Sequence, residues 1–238
     1  MSEIEQEKYG DNSYFKPIFI ERLLQIKSFY IITKEFFTKY DKKIQKKYDE
    51  VTLKLARLQG NEEILASDFK PFFMSLLYIH IRTTLDLYFN NVLEYLFINN
   101  IDILKNSNKQ YSTEEILFFN NRETLISYLA MKEVQRFNEN NSKDKIEYLK
   151  KLLNNEEILT RSLTDIFVEV SEIRNILVHN EGRINDRFRK LVNNSEYDDK
   201  LHVEIDEEKL IKAIDSMISF INLIDKEFCD KFRISIWL

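Results

Sequence analysis

Glycine and proline are nearly absent from this chain, which contains three Gly and two Pro among its 238 residues. Tight hairpins and strand corners depend on these residues, so a fold rich in β-structure is disfavoured. Asparagine pairs at 99–100, 140–141, 154–155 and 193–194 can serve as turn residues in place of glycine. The sequence therefore predicts an all-α protein whose helices are joined by polar loops.

The size and composition of the chain indicate a cytoplasmic globular protein. Its length and its 44% content of hydrophobic residues suffice for a core without disulfides or a structural metal. Cys229 is the single cysteine, and its place on an apolar helical stripe predicts a small buried hydrophobic side chain rather than a reactive thiol. Residues Met1–Asp11 are acidic and polar, unlike a secretory signal. The most hydrophobic segment, 69–97, contains Arg82, Asp86 and Glu94 and predicts a core helix rather than a membrane span.

The first helical pattern is unusually long and runs from Pro17 to Gly60. A straight helix of this length would extend beyond a small domain, so we expect either a kink near Thr33 or a protruding arm. We therefore assign residues 1–66 to an N-terminal helical arm and residues 67–238 to a helical bundle.

Five helices are expected in the bundle. Four of them are predicted at about 68–98, 113–136, 143–154 and 161–180, and the fifth is the C-terminal helix, capped by Asp206. The C-terminal helix has apolar residues at strict heptad spacing, which are Leu210, Ile214, Met217, Ile221, Ile224 and Phe228. This stripe predicts a seam, either within the bundle or against a second copy of the chain.

A carboxylate lies on an apolar stripe of the first bundle helix. Asp86 shares a heptad position with Phe72, Ile79 and Leu93, so it needs a partner. Arg82, one turn earlier on the same helix, is one candidate, and a basic residue from a facing helix is the other.

The segment Arg174-Asn175-Ile176-Leu177-Val178-His179-Asn180-Glu181-Gly182 closes the predicted helix 161–180. An arginine and a histidine separated by four residues form a short pattern, and the asparagine after each of them, with the glycine, makes it much more specific. The segment resembles the active-site motif of the HEPN superfamily, whose members are helical bundles with this motif at the end of a late helix. The resemblance covers roughly residues 68–230 and implies a HEPN-like bundle.

The resemblance implies a metal-independent endoribonuclease that needs no cofactor, with Arg174 and His179 as catalytic residues and RNA as substrate. In this reaction a ribose hydroxyl attacks the adjacent phosphate, which requires a group that moves protons and a cation that stabilises the developing negative charge. Histidine titrates near neutral pH, and guanidinium offers forked donors to phosphate oxygens. The two residue types therefore suit the two tasks.

The spacing of the motif points to a homodimer. Five helical residues correspond to about 500°, so Arg174 and His179 point about 140° apart on one helix. Asn175, one turn before His179, is expected to orient its ring, while Asn180 and Gly182 suit a helix end that turns the histidine inward. Two copies about a two-fold axis would gather paired arginines and histidines around one cleft, as HEPN dimers do.

The net charge of −5 means that the whole protein does not attract nucleic acid, so RNA binding needs a local basic patch. The best candidate follows the motif, where Arg183, Arg187 and Lys190 fall at helical spacing with Arg189 beside them. The alternative is a solvated surface that is partly ion-paired with neighbouring carboxylates.

Other readings of the motif stay open. By the resemblance, Asp86 is expected near Arg174 as a supporting residue, and the protein is expected to be a toxin or antiviral effector with an antitoxin or defence-system partner. A noncatalytic RNA- or nucleotide-binding module is a second hypothesis, and a protein-interaction module using the arm and the heptad helix is a third. In a purely structural alternative, Arg174 pairs with Glu172 or Asp86, and His179 interacts with the helix dipole.

Overall fold

The computed structural model describes residues 15–58, 69–105, 112–192 and 194–233, and the regular elements in these ranges are helices. The all-α prediction is confirmed. The helices are α1 (Phe15–Leu58), α2 (Phe69–Asn99), α3 (Ile101–Lys105), α4 (Thr113–Leu117), α5 (Arg122–Glu139), α6 (Ser142–Leu153), α7 (Arg161–His179), α8 (Asp186–Leu191) and α9 (Glu207–Phe232), with a short 3-10 turn at Ser195–Tyr197.

α1 is a continuous helix of 44 residues, and its helical assignment continues through Thr33. The Thr33 hydroxyl donates to the carbonyl oxygens of Phe29 and Tyr30 at 2.7 and 3.0 Å while the helix continues. Four side chains of its N-terminal part are buried in the core, Phe19, Leu23, Ile26 and Tyr30, and most of the described side chains after Tyr30 are exposed. Core packing therefore extends into the segment that the sequence assigned to an N-terminal arm.

α2 is the central helix and contacts α1, α5, α7 and α9. The Phe89 ring centroid lies 5.3 Å from that of Phe137 on α5, 6.1 Å from that of Phe220 on α9 and 6.5 Å from that of Phe167 on α7. Such aromatic pairs contribute directional packing beyond their buried area. This cluster fixes α7 against α2 and so positions the motif. None of the helices in the described ranges is long and apolar enough to cross a bilayer.

The single helix predicted at 113–136 is wrong, because the chain forms α4 and α5 with a break between them. Asn121 is the N-cap of α5, and its side-chain oxygen accepts a hydrogen bond from the Thr124 backbone N–H at 2.8 Å. An asparagine that caps a new helix competes with continuation of the previous one. The short α3 was not predicted at all.

The heptad stripe of α9 was expected to form a seam either within the bundle or against a second copy of the chain. All six of its apolar side chains are buried, and the helix contacts α1, α2 and α7, so the seam lies within the bundle. The predicted cap is confirmed, since the Asp206 carboxylate accepts from the Lys209 backbone N–H at 2.8 Å. Cys229 on this helix is half-buried, and burial together with the nearby Asp225 carboxylate raises the pKa of its thiol to about 12. Its thiol is therefore neutral at physiological pH.

Candidate active site

α7 ends at His179 because the backbone N–H groups of Asn180 and Gly182 both donate to the carbonyl oxygen of Ile176, at 2.9 Å. Glu181 and Gly182 then adopt positive φ angles of 52° and 75°, a region that glycine occupies without steric cost. The Asn180 side chain donates to the Arg183 carbonyl oxygen at 2.6 Å and holds the turn closed. Asn180 is thus tied into the backbone turn that ends the motif.

Arg174 lines a cleft of about 600 Å³ formed by α2, α5, α6, α7 and α8, which we call the polar cleft. Its charged and amide side chains include Arg82, Asp86, Lys145, Arg174, Arg187 and the asparagines at 90, 138, 140, 141 and 175. The Arg174 Nη1 atom donates to the Asn175 Oδ1 atom at 3.3 Å. Its Nε atom is buried and has no hydrogen-bond acceptor among the described residues.

Asp86 pairs with Arg82, the candidate one turn earlier on α2, and Lys145 of the facing helix α6 also lies within ion-pair distance of it. Arg82 is only 4% exposed, and its Nε atom also donates to the Ser171 hydroxyl at 3.0 Å. Burial lowers the pKa of the Arg82 guanidinium, and the Asp86 carboxylate opposes that shift, so the group stays charged. Asp86 and Arg174 line the same cleft, but neither Asp86 nor Glu172 forms an ion pair with Arg174 in the described ranges.

Lys145 belongs to the cleft, although the sequence reasoning did not single it out. It is 7% exposed, and its Nζ atom lies 3.9 Å from the Asp86 Oδ1 atom. Burial and, to a smaller extent, the Arg82 charge lower the pKa of Lys145, Asp86 partly offsets them, and the net value is about 8. The available sequence signal was its spacing, because Lys145 shares the buried face of α6 with Leu149 and Leu153.

Glu172 on α7 is hydrogen-bonded to two residues that line the polar cleft. This residue is 2% exposed, and its carboxylate accepts hydrogen bonds from the Ser142 hydroxyl at 2.7 Å and the Asn175 amide at 3.5 Å. Asn175 therefore bonds to Glu172, and no hydrogen bond joins it to His179 in the described part of the chain. The expected ring-orienting contact is not formed within this single chain.

His179 lies in a second, adjacent pocket of about 370 Å³, which we call the His179 pocket. Asn175 and Arg187 line both this pocket and the polar cleft, whereas Arg174 lines only the polar cleft. The expectation that the histidine turns inward is wrong, because α7 stays helical through His179 and leaves its side chain exposed. One chain thus places the two motif residues in neighbouring pockets with a common border.

The predicted basic patch divides into two parts. Arg183 is not helical, because it forms an isolated antiparallel bridge with His202 ahead of α8. Arg183, Arg187 and Lys190 are exposed, and Arg183 lies 4.0 Å from Glu181. Arg189 instead donates to three backbone carbonyl oxygens in the segment after α8, those of Tyr197, Asp198 and Lys200. Its charge is therefore occupied in holding that segment.

The described residues contain no group of three or more His, Cys, Asp or Glu side chains arranged to hold a metal ion. Comparisons with protein-family models, curated proteins and solved structures found no match to this chain.

Proposed function

We propose that this chain is an endoribonuclease that cleaves RNA without a metal ion, using Arg174 and His179 at a site completed by a second copy of the chain. One observation carries the proposal: the polar cleft that holds Arg174 borders the His179 pocket, with Asn175 and Arg187 lining both. A phosphate at this border faces cations on one side and an exposed imidazole on the other.

The chemistry assigns different tasks to the two motif residues. The ribose 2′-oxygen forms a bond to the adjacent phosphorus as the bond from phosphorus to the 5′-oxygen breaks. One imidazole accepts the proton from the 2′-hydroxyl, and a protonated imidazole donates a proton to the departing 5′-oxygen. Arg174 stabilises the negative charge on the phosphate oxygens. The products are a 2′,3′-cyclic phosphate and a 5′-hydroxyl.

A second copy of the chain would bring a histidine to the cleft of Arg174, since one chain keeps the two residues in separate pockets. His179 is exposed at the end of α7, beside Val178, whose side chain is 44% exposed. Pairing two α7 ends about a two-fold axis buries this apolar residue and brings two imidazoles near the two polar clefts. One imidazole then serves as base and the other as acid.

The test is cleavage of total RNA by the purified protein in EDTA, comparing wild type with Arg174→Ala and His179→Ala. We expect cyclic phosphate ends and a loss of about 100-fold or more in rate for each variant. His80→Ala is the matched control, because His80 is also exposed but lies outside both pockets. Full cleavage by His179→Ala contradicts the proposal.

Mixing the two inactive variants tests the shared site. A dimer that contains one Arg174→Ala chain and one His179→Ala chain keeps one arginine and one of the two imidazoles, whereas each variant alone lacks one residue type completely. The remaining imidazole can supply either the base or the acid, so a small part of the activity should return, above that of either variant alone. Sedimentation of the active species provides the second readout. A monomer that still cuts RNA rules out the two-copy site.

A noncatalytic RNA-binding module is the second candidate, and the separation of Arg174 and His179 into different pockets of one chain favours it. RNA binding without cleavage in the same assay would support this alternative. Neither binding nor cleavage would favour a protein-interaction module.

The effector role implied by the HEPN resemblance is a separate part of the proposal. We expect expression of the wild-type chain in bacteria to arrest growth through RNA cleavage, and His179→Ala to relieve the arrest. An antitoxin or defence-system partner would be recovered with the tagged His179→Ala protein from its native host. Equal growth of bacteria that express wild type and His179→Ala would contradict the toxin role. The enzyme proposal would still be tested separately by the cleavage assay.

A further inference from the structure

The cations at the floor of the polar cleft outnumber the carboxylates that face them. Arg82 and Lys145 are buried there, and Arg174 is half-buried beside them. Asp86 and Glu172 are the two acidic groups that face these cations from α2 and α7. Two carboxylates against three cations leave one positive charge unneutralised. Glu139, Asp144 and Arg187 also line the cleft, but they are exposed at its rim, where water screens their charges.

Two of the cations have a donor group without a hydrogen-bond acceptor. The Arg174 Nε atom is buried without an acceptor, and the 3.9 Å between the Lys145 Nζ and Asp86 Oδ1 atoms exceeds hydrogen-bond length. No acceptor for the Lys145 ammonium is recorded elsewhere in the described ranges. A buried cationic donor without an acceptor, such as the Arg174 Nε atom, is costly. The oxygens of a phosphate are well suited to accept from the Arg174 Nε atom and from the Lys145 ammonium.

The charge environment of Lys145 is consistent with a missing anion. Burial and the Arg82 and Arg174 charges lower its pKa, Asp86 and Glu172 oppose them, and the net value is about 8. A bound anion between these cations would raise the pKa of Lys145 again. The pKa of Lys145 should therefore show whether an anion occupies the cleft.

The remaining wall of the cleft consists largely of asparagine. Asn90, Asn138, Asn140 and Asn141 line it, and the Asn138 amide donates to the Asn90 Oδ1 atom at 2.8 Å. Side-chain amides both donate and accept, as ribose hydroxyls and base edges require. The volume of about 600 Å³ lies within the range of small-molecule sites.

We propose that the polar cleft binds the terminal phosphate of a ribonucleotide, with the phosphate on Lys145, Arg174 and Arg82 and the nucleoside against the asparagine wall. A terminal phosphomonoester presents three oxygens to converging donors, and a chain end can enter a cleft with a closed floor. The ligand is either a free nucleoside monophosphate or the phosphorylated 5′ end of an RNA. Binding here does not require cleavage at His179.

Calorimetry in Tris buffer tests the site with AMP, GMP, CMP, UMP, adenosine and inorganic phosphate as probes. Lys145→Gln should weaken binding of the best nucleotide by about tenfold or more, since it removes the ammonium that contacts the phosphate. Lys143→Gln is the matched control, because Lys143 is exposed on the same helix, with its Nζ atom 3.4 Å from the Lys190 carbonyl oxygen. Its affinity should stay within about twofold of wild type.

Several outcomes overturn the proposal. It fails if none of the nucleotides binds, if adenosine binds as well as AMP, or if inorganic phosphate alone matches the nucleotides. Equal losses in Lys145→Gln and Lys143→Gln would indicate nonspecific attraction and also overturn it. The two sources of phosphate are distinguished with one short RNA carrying either a 5′-phosphate or a 5′-hydroxyl. Tighter binding of the phosphorylated RNA than of any mononucleotide identifies an RNA end as the ligand.

A measurement on the wild-type protein removes any dependence on the folding of variants. Lys145 should react with an amine-acylating reagent at pH 8 in the empty protein, and the nucleotide should protect it by about fivefold or more because the bound phosphate keeps the ammonium protonated. Lys143 is the internal control, and equal labelling of Lys145 with and without nucleotide contradicts the site. His179→Ala should lose RNA cleavage and keep nucleotide binding, so failure of this site and failure of the ribonuclease proposal are told apart.

Discussion

The Ser142 hydroxyl donates a buried hydrogen bond of 2.7 Å to the Glu172 carboxylate and so joins the start of α6 to the middle of α7. This contact lies between the two pockets, because Ser142 lines the polar cleft and Glu172 lines the His179 pocket. It keeps α6, and therefore Lys145, in register with the arginine of the motif. A single hydroxyl thus connects the stability of the bundle to the shape of the candidate site.

Removing that hydroxyl should destabilise the protein. Ser142→Ala leaves a buried carboxylate with one donor fewer, and we expect the free energy of unfolding to fall by about 1.5–3 kcal/mol. Ser219→Ala is the control, because the Ser219 hydroxyl is exposed and bonds only to the Asp215 carbonyl oxygen of its own helix. Urea denaturation measures both, and an equal, small change in the two variants contradicts the buried role of Ser142.

Lys145 should make stability depend on pH in a predictable direction. Its pKa in the folded protein is about 8 against an ordinary value of 10.5, so between these values the unfolded chain holds a proton that the folded protein has released. Wild type should therefore gain stability relative to Lys145→Met as the pH rises from about 8 to about 10, by on the order of 1–3 kcal/mol. The facing groups Arg82, Arg174, Asp86 and Glu172 are unchanged in both proteins, so the difference isolates the lysine. Denaturation at pH 7 and pH 10 in phosphate-free buffer checks this, and a pH-independent difference is the contrary result.

Arg187 and Arg189 are two residues apart, but substitution by glutamine should affect a different property at each. RNA binding should fall at Arg187, and thermal stability should fall at Arg189. Arg187 is exposed on the border of the two pockets, whereas Arg189 bonds to three backbone carbonyl oxygens. Arg187→Gln should weaken RNA binding by about tenfold without changing Tm, because it removes a free phosphate contact. Arg189→Gln should lower Tm by several degrees, because it removes the three hydrogen bonds that hold the segment after α8. Filter binding measures the RNA affinity, and thermal melts measure Tm. If Arg189→Gln weakens RNA binding and leaves Tm unchanged, Arg189 belongs to the RNA-binding surface.

Gly182 should tolerate asparagine better than alanine. Its φ is +75°, and a Cβ there would lie 3.5 Å from the Leu177 Cδ2 atom, an ordinary contact, so the cost of substitution comes from the backbone. We expect Gly182→Ala to destabilise by about 1–2 kcal/mol and Gly182→Asn by less, because asparagine enters the left-handed region more easily. Chemical denaturation gives both values. Equal costs would show that crowding, not φ, sets the requirement for glycine.

The helices were largely readable from sequence because their signals are local. The heptad stripe of α9 and its Asp206 cap involve residues within a few turns of each other, and both predictions are confirmed. The break before α5 was missed because the Asn121 cap competes with an apolar pattern that continues across it. The choice between Arg82 and a facing helix as the partner of Asp86 was not decidable from spacing, since both fit the stripe.

The sequence by itself determined that Arg174 and His179 stand five residues apart at the end of a helix, and helix geometry already required them to diverge. Only the tertiary structure decided what surrounds each of them. Lys145 joins Arg174 because α6 packs on α7, and His179 stays exposed because α7 remains helical to that residue. These contacts join residues far apart in the chain, and they follow from which buried faces fit together rather than from any local pattern.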